Sequence, residues 1–122
     1  MGGKVLYVED NPDTAEAVKL ILSPKGYDVD LALTGTKGLE MFKLKNYDLV
    51  LLDIMLPDIS GREVFKRILK SKKKGKSKYA FLSIVQIPEK EKRRLKEQGI
   101  VAYIPKPFEK EELVEKVAEI IG

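Results

Sequence analysis

The sequence predicts an α/β fold: a doubly wound (βα)5 parallel sheet in a single domain spanning residues 1–122. Three observations carry that prediction. Apolar, strand-like runs alternate with amphipathic helical stretches from one end of the chain to the other. The run Leu49-Val50-Leu51-Leu52 is apolar on both faces, as a central parallel strand reads when helices cover it on both sides. Helix-length connections between successive strands demand right-handed parallel crossovers.

Taken in order, Lys4–Val8 is the first strand and runs into Glu9, Asp10 and Asn11. Asn11 followed by Pro12 fits a helix cap with proline at the first helical position. Ala15, Val18, Ile21 and Leu22 recur at helical spacing, and Gly26 suits the stop. Tyr27–Leu33 reads as the second strand, and Thr34 can cap a helix whose inward face carries Leu39, Met41 and Phe42. The central run ends in Asp53, after which Pro57 and Gly61 force a turn. Gly61–Leu69 is the third helix, with Val64, Phe65, Ile68 and Leu69 as its apolar stripe. Tyr79–Ser83 is the fourth strand. Pro88–Gln98 is a helix with Glu89 and Glu91 early and Lys92, Arg93, Arg94 and Lys96 later, an order that complements the helix dipole. Val101–Ile104 is a short fifth strand, Pro105-Lys106-Pro107 a stiff turn, and Glu109–Ile121 the last helix, with Leu113, Val114, Val117, Ala118 and Ile121 on one face.

Composition narrows the chemistry. The chain has no cysteine and no histidine. Disulfides, thiolate nucleophiles, histidine bases and imidazole metal ligands are therefore excluded. The formal charge of +4 is mildly basic, too little to call for a nucleic-acid partner. No apolar run approaches the ~20 residues of a membrane span, the start shows no signal peptide, and a cytoplasmic protein is the expectation. One composition shift occurs, the basic run Lys70–Lys78. It reads either as a solvated loop or as a docking surface for an acidic partner or a phosphate backbone.

In a sheet wound this way, the C-terminal ends of strands one, three, four and five meet at one edge, where open α/β sheets place ligands. Those ends carry Glu9 and Asp10, Asp53, Ser83 and Lys106. Crowded carboxylates repel unless a cation neutralises them. A hard divalent ion with oxygen ligands, Mg²⁺ or Mn²⁺, is the expected cofactor. Lys106 would add a point charge suited to phosphate, and Ser83 a neutral hydrogen bond.

This arrangement resembles the receiver (response regulatory) domain of two-component response regulators, including the chemotaxis regulators, over essentially the whole chain. The stretches that carry the resemblance are Val5–Asn11, Tyr47–Gly61, Phe81–Ser83 and Gly99–Phe108. It implies a flavodoxin-like sheet in the order 2-1-3-4-5. It implies that Asp53 takes a phosphoryl group from the phosphohistidine of a sensor kinase or phosphotransfer protein. Glu9, Asp10, Asp53 and the backbone carbonyl of Met55 would hold the metal. Lys106 would stabilise the transferring group. Ser83 would bond a phosphoryl oxygen, and Tyr103 would be the switch aromatic. The resemblance also implies a cis Lys106–Pro107 peptide.

The implied function is a phosphorylation-controlled switch, a self-modifying phosphoacceptor without substrate turnover. Its readout face would be Pro88–Gln98, Val101–Ile104 and Glu109–Ile121, open to a downstream protein or to a second copy of the chain in a homodimer. It would be a stand-alone regulator or the receiver of a longer protein. Ile84 stands where the family usually has a small residue and would narrow access to the phosphoryl site. Met55 and Val85, two residues beyond Asp53 and Ser83, cannot orient an attacking water, so self-dephosphorylation is expected to be slow. A degenerate receiver acting by protein contact alone is one alternative. An aspartate-nucleophile phosphatase is another, weakened because the acid such enzymes place two residues after the nucleophile is here Met55. No Gly-rich phosphate-binding motif follows a strand.

Overall fold

The computed structural model describes residues 2–71 and 76–122. Of the basic run Lys70–Lys78, residues 72–75 lie outside the described residues. Five strands alternate with five helices: β1 Gly3–Val8, α1 Pro12–Leu22, β2 Tyr27–Ala32, α2 Gly35–Leu44, β3 Leu49–Leu52, α3 Gly61–Lys70, β4 Lys78–Ser83, α4 Glu89–Gln98, β5 Ile100–Pro105 and α5 Lys110–Ile121. Among the described residues the strands form one parallel sheet in the order β2-β1-β3-β4-β5. The expected topology is the observed one.

Side chains alternate across each strand, and both faces of the sheet are covered. Leu6, Val8, Val50, Leu52 and Phe81 pack with Phe42 of α2, Val64, Phe65 and Ile68 of α3, and Leu95 of α4. Val5, Tyr7, Leu49, Leu51, Ala80 and Leu82 pack on the other face with Val18 and Leu22 of α1 and Leu113 and Val117 of α5. Two apolar layers around one sheet explain why β3, buried throughout, carries no polar residue.

The predicted caps form. The Asn11 side chain accepts from the N–H groups of Asp13 and Thr14 with Pro12 next in line, and Thr34 accepts from Lys37 N–H. Two expectations change in detail. α1 stops at Leu22, and a 3-10 turn Ser23–Lys25 follows before Gly26 takes the left-handed conformation (φ 97°). Leu69 is 42% exposed rather than part of the α3 stripe, because it sits about 100° around the helix from Ile68.

Register places the functional edge. Val8 pairs with Leu52, Leu52 with Phe81 and Ser83 with Pro105. Backbone bonds continue past the strand tips: Asp53 N–H to Val8 C=O (3.0 Å), Glu9 N–H to Ala32 C=O (2.9 Å) and Lys106 N–H to Ser83 C=O (3.1 Å). The residues just beyond the strands thus continue the backbone hydrogen bonding of the sheet.

Candidate functional site

Asp53, the residue after β3, is only 5% exposed, yet its carboxylate is well supplied with donors. Oδ1 accepts from Ser83 Oγ at 2.8 Å and from Met55 N–H at 3.1 Å, and Oδ2 accepts from Lys106 Nζ at 2.9 Å. Beside it lie Glu9, 1% exposed, and Asp10, exposed at the mouth of the cleft. Oxygens of Glu9, Asp10 and Asp53 all lie within 4.8 Å of one another. The structure therefore gathers the five predicted side chains, Glu9, Asp10, Asp53, Ser83 and Lys106, into one site.

The turn under Asp53 is built by close approach. Gly61 N–H donates to Ile54 C=O at 2.8 Å. A Cβ on Gly61 would stand 2.0 Å from the Asp53 carbonyl oxygen, so any side chain there would collide with main chain. The same loop is tied to α2 by Asp58, whose carboxylate accepts from Gly35 N–H (2.9 Å) and Thr36 N–H (2.8 Å). The Thr36 hydroxyl and these backbone bonds hold Asp58 well below the usual carboxylate range despite some desolvation.

Lys106 bridges the two buried acids, donating to Glu9 Oε1 as well as to Asp53. Burial works against its charge, but hydrogen bonds and charge from Glu9 and Asp53 outweigh that and raise its pKa above the ordinary lysine value. It stays an ammonium. The Lys106–Pro107 peptide is cis. Three carboxylates facing one ammonium leave two negative charges in excess, which one divalent cation would neutralise. An all-oxygen donor set fits Mg²⁺ or Mn²⁺ and offers nothing to a softer ion.

The remaining predicted residues line the approaches. Met55 and Ile84, 58% and 64% exposed, form the mouth with Asp10, Leu56, Pro57 and Lys106 around a cleft of about 330 Å³. Tyr103 lies outside that cleft. Its half-buried ring packs on Phe81 (centroids 6.1 Å apart), with Lys92 Nζ 5.3 Å from its centre. It lines an adjoining cavity of about 520 Å³ that also touches Ser83 and Lys106.

One residue escaped the sequence reading. Tyr7, fully buried in β1, donates its hydroxyl to Glu9 Oε1 at 2.9 Å. Desolvation, and then the charge of Glu9, hold its phenol protonated far above its usual range. The signal was available: a tyrosine in a strand buried on both faces usually finds a partner for its hydroxyl.

A family model for the response regulator receiver domain matches residues 5–118. The chain belongs to the response regulator receiver domains. Transcriptional regulatory protein DltR from Streptococcus agalactiae serotype III is 40% identical over 114 residues, which is 93% of this chain and 50% of that protein. A CheY-like receiver domain protein from Methanospirillum hungatei JF-1 superposes with a TM-score of 0.85 at 30% identity, over 98% of this chain and 93% of that one. Response regulator TrrA from Thermotoga maritima, solved in complex with Mg²⁺-BeF, gives 0.79 at 37% identity, over 96% and 97%. Receiver domains are phosphoacceptor signalling domains that bind Mg²⁺ at an acidic pocket, and response regulators interact with histidine kinases and downstream effectors. The chain spans about half the length of the curated relatives it matches. DltR is named a transcriptional regulator, so the charge-based expectation of no nucleic-acid partner does not extend to a longer protein of that kind. Neither alternative function is favoured. Among the described residues no helix is long and apolar enough to cross a membrane.

Proposed function

We propose that Asp53 is the phosphoacceptor of this receiver domain and that residues 1–122 work as one switch in the cytoplasm. A carboxylate oxygen of Asp53 attacks the phosphorus of a kinase or phosphotransfer-protein phosphohistidine. The P–O bond forms as the P–N bond breaks, and the electron pair leaves with the imidazole. The observation that carries this reading is the donor pattern on Asp53: Ser83, Met55 N–H and Lys106 all converge on a buried carboxylate beside two further acids.

Glu9, Asp10 and Asp53, with the Met55 carbonyl assigned by the family resemblance, would hold Mg²⁺. When bound, that ion supplies positive charge to the transferring phosphoryl oxygens. Lys106 already lies against Asp53 and needs only a short side-chain movement to contact a phosphoryl oxygen on it. Ser83 leaves Asp53 Oδ1 to bond the new group, and Tyr103 follows into the adjoining cavity. The consequence is read on the face of α4, β5 and α5 by a downstream protein or a second copy of the chain. The domain modifies itself and turns over no substrate.

Intact mass after incubation with acetyl phosphate and Mg²⁺ tests this. A gain of one phosphate, absent in Asp53→Ala, is expected; steady release of inorganic phosphate with turnover, or no gain at all, would overturn it. Because Met55 and Val85 offer no group to orient water, the phosphorylated form should persist for minutes or longer. Decay within seconds in Mg²⁺ buffer would contradict that.

A further inference from the structure

Glu9 is the most enclosed acid of the site and has three donors. Asn11 N–H reaches Oε2 at 3.1 Å, while Oε1 is shared by Lys106 Nζ and the Tyr7 hydroxyl, the latter at 2.9 Å. The three differ in what they do next. Lys106 also holds Asp53 Oδ2, so an incoming phosphoryl group competes for it. Asn11 N–H is fixed by the start of α1, which its own side chain caps. The Tyr7 hydroxyl comes from the core, where the ring packs among Val18, Leu22 and Leu113 and cannot follow the chemistry. Residues two apart on a strand share a face, so Tyr7 lies directly behind Glu9.

We propose that Tyr7 is a positioning residue for the divalent-cation site, its hydroxyl fixing the Glu9 carboxylate toward Asp10 and Asp53. The inference rests on the cleft being the Mg²⁺ site proposed above. Outer partners that orient a ligand act on metal affinity by fixing the ligand's direction. Tyr7→Phe keeps the packed ring and deletes only that hydrogen bond.

A second tyrosine provides the control. Tyr47 also donates to a carboxylate, Asp30 Oδ2 at 2.7 Å, but Asp30 is no part of the cleft. Mn²⁺ binding is measured by electron paramagnetic resonance on the wild type, Tyr7→Phe and Tyr47→Phe. The Mg²⁺ dependence of phosphorylation by acetyl phosphate is followed in parallel. Tyr7→Phe should weaken Mn²⁺ binding about tenfold and raise the half-saturating Mg²⁺ concentration by a similar factor, while Tyr47→Phe stays within about twofold of wild type. Wild-type affinity in Tyr7→Phe would overturn the inference, leaving the hydroxyl as a satisfied buried group only. A slower reaction at saturating Mg²⁺ with metal affinity unaltered would overturn it too. A wild type that takes up neither ion would instead overturn the reading of the cleft. Should Tyr7→Phe not melt cooperatively, wild-type NMR decides: Mg²⁺ should shift the Tyr7 ring resonances and leave those of Tyr47 in place, and an unmoved Tyr7 would end the proposal.

Discussion

Helices α3 and α4 are each ten residues long and lie one strand apart, yet they are held in opposite ways. α3 buries Gly61, Val64, Phe65 and Ile68, and the Ser60 side chain caps its start. Of α4 only Leu95 is buried, and its start has no side-chain cap. What holds α4 instead is polar. Arg62 of α3 grips Glu91 with two bonds, Nε to Oε2 at 2.6 Å and Nη2 to Oε1 at 3.0 Å. On the other side, Lys92 covers the Tyr103 ring. The helix that anchors the turn under Asp53 is thus fixed by the core. The helix beside Tyr103 is held by contacts that cost little to release, as the proposed readout face requires.

Truncating the cores of the two helices should show the difference most strongly. Phe65→Ala should cost about 3–5 kcal/mol and Leu95→Ala about 2 kcal/mol in urea unfolding. Equal costs would break the contrast. A smaller effect is expected at the clip. Arg62→Ala removes a partly exposed ion pair and should change stability by less than about 1 kcal/mol. If α4 shifts on activation, losing the clip favours the shifted state, and the affinity for beryllofluoride with Mg²⁺ should rise about two- to fivefold. No change in a calorimetric titration would assign the pair to stability alone.

The smallest effect is the pH dependence of that pair. The hydrogen bond from Arg62, and its charge, hold the Glu91 carboxyl below its usual value against a modest desolvation cost. A lowered folded-state pKa contributes stability that is complete above the unfolded-state value of about 4.3 and fades as pH falls through the folded-state value. The melting-temperature gap between wild type and Arg62→Ala should therefore be largest near neutrality and close in acid. A gap that widens on acidification would reverse the sign argued here.

Much of this was legible in the chain. The four-residue run Leu49–Leu52 announced a strand covered on both sides, and Asn11-Pro12 and Thr34 announced the caps that form. The carboxylates, hydroxyl and ammonium at four strand tips could be placed together because parallel topology leaves those tips one edge to share. Features that depend on distance across the fold were not legible. Arg62 and Glu91 are separated by 29 residues and Asp58 and Gly35 by 23, and nothing local marks either pair. Leu69 followed the apolar pattern but ended up in solvent, since periodicity sets an angle without setting which neighbour fills it. Tyr7 was readable in principle, as a polar tip in the apolar run Val5–Val8.

Gly61 carries one more consequence. With its N–H on Ile54 and no room for an added carbon against the Asp53 carbonyl, position 61 has to be a glycine for the turn beneath the acid to close. On the reading proposed above, that floor offers a phosphoryl group on Asp53 no side chain to move. Its contacts would lie to the side, with Ser83 and Lys106 on different segments, toward the β5 edge of the sheet.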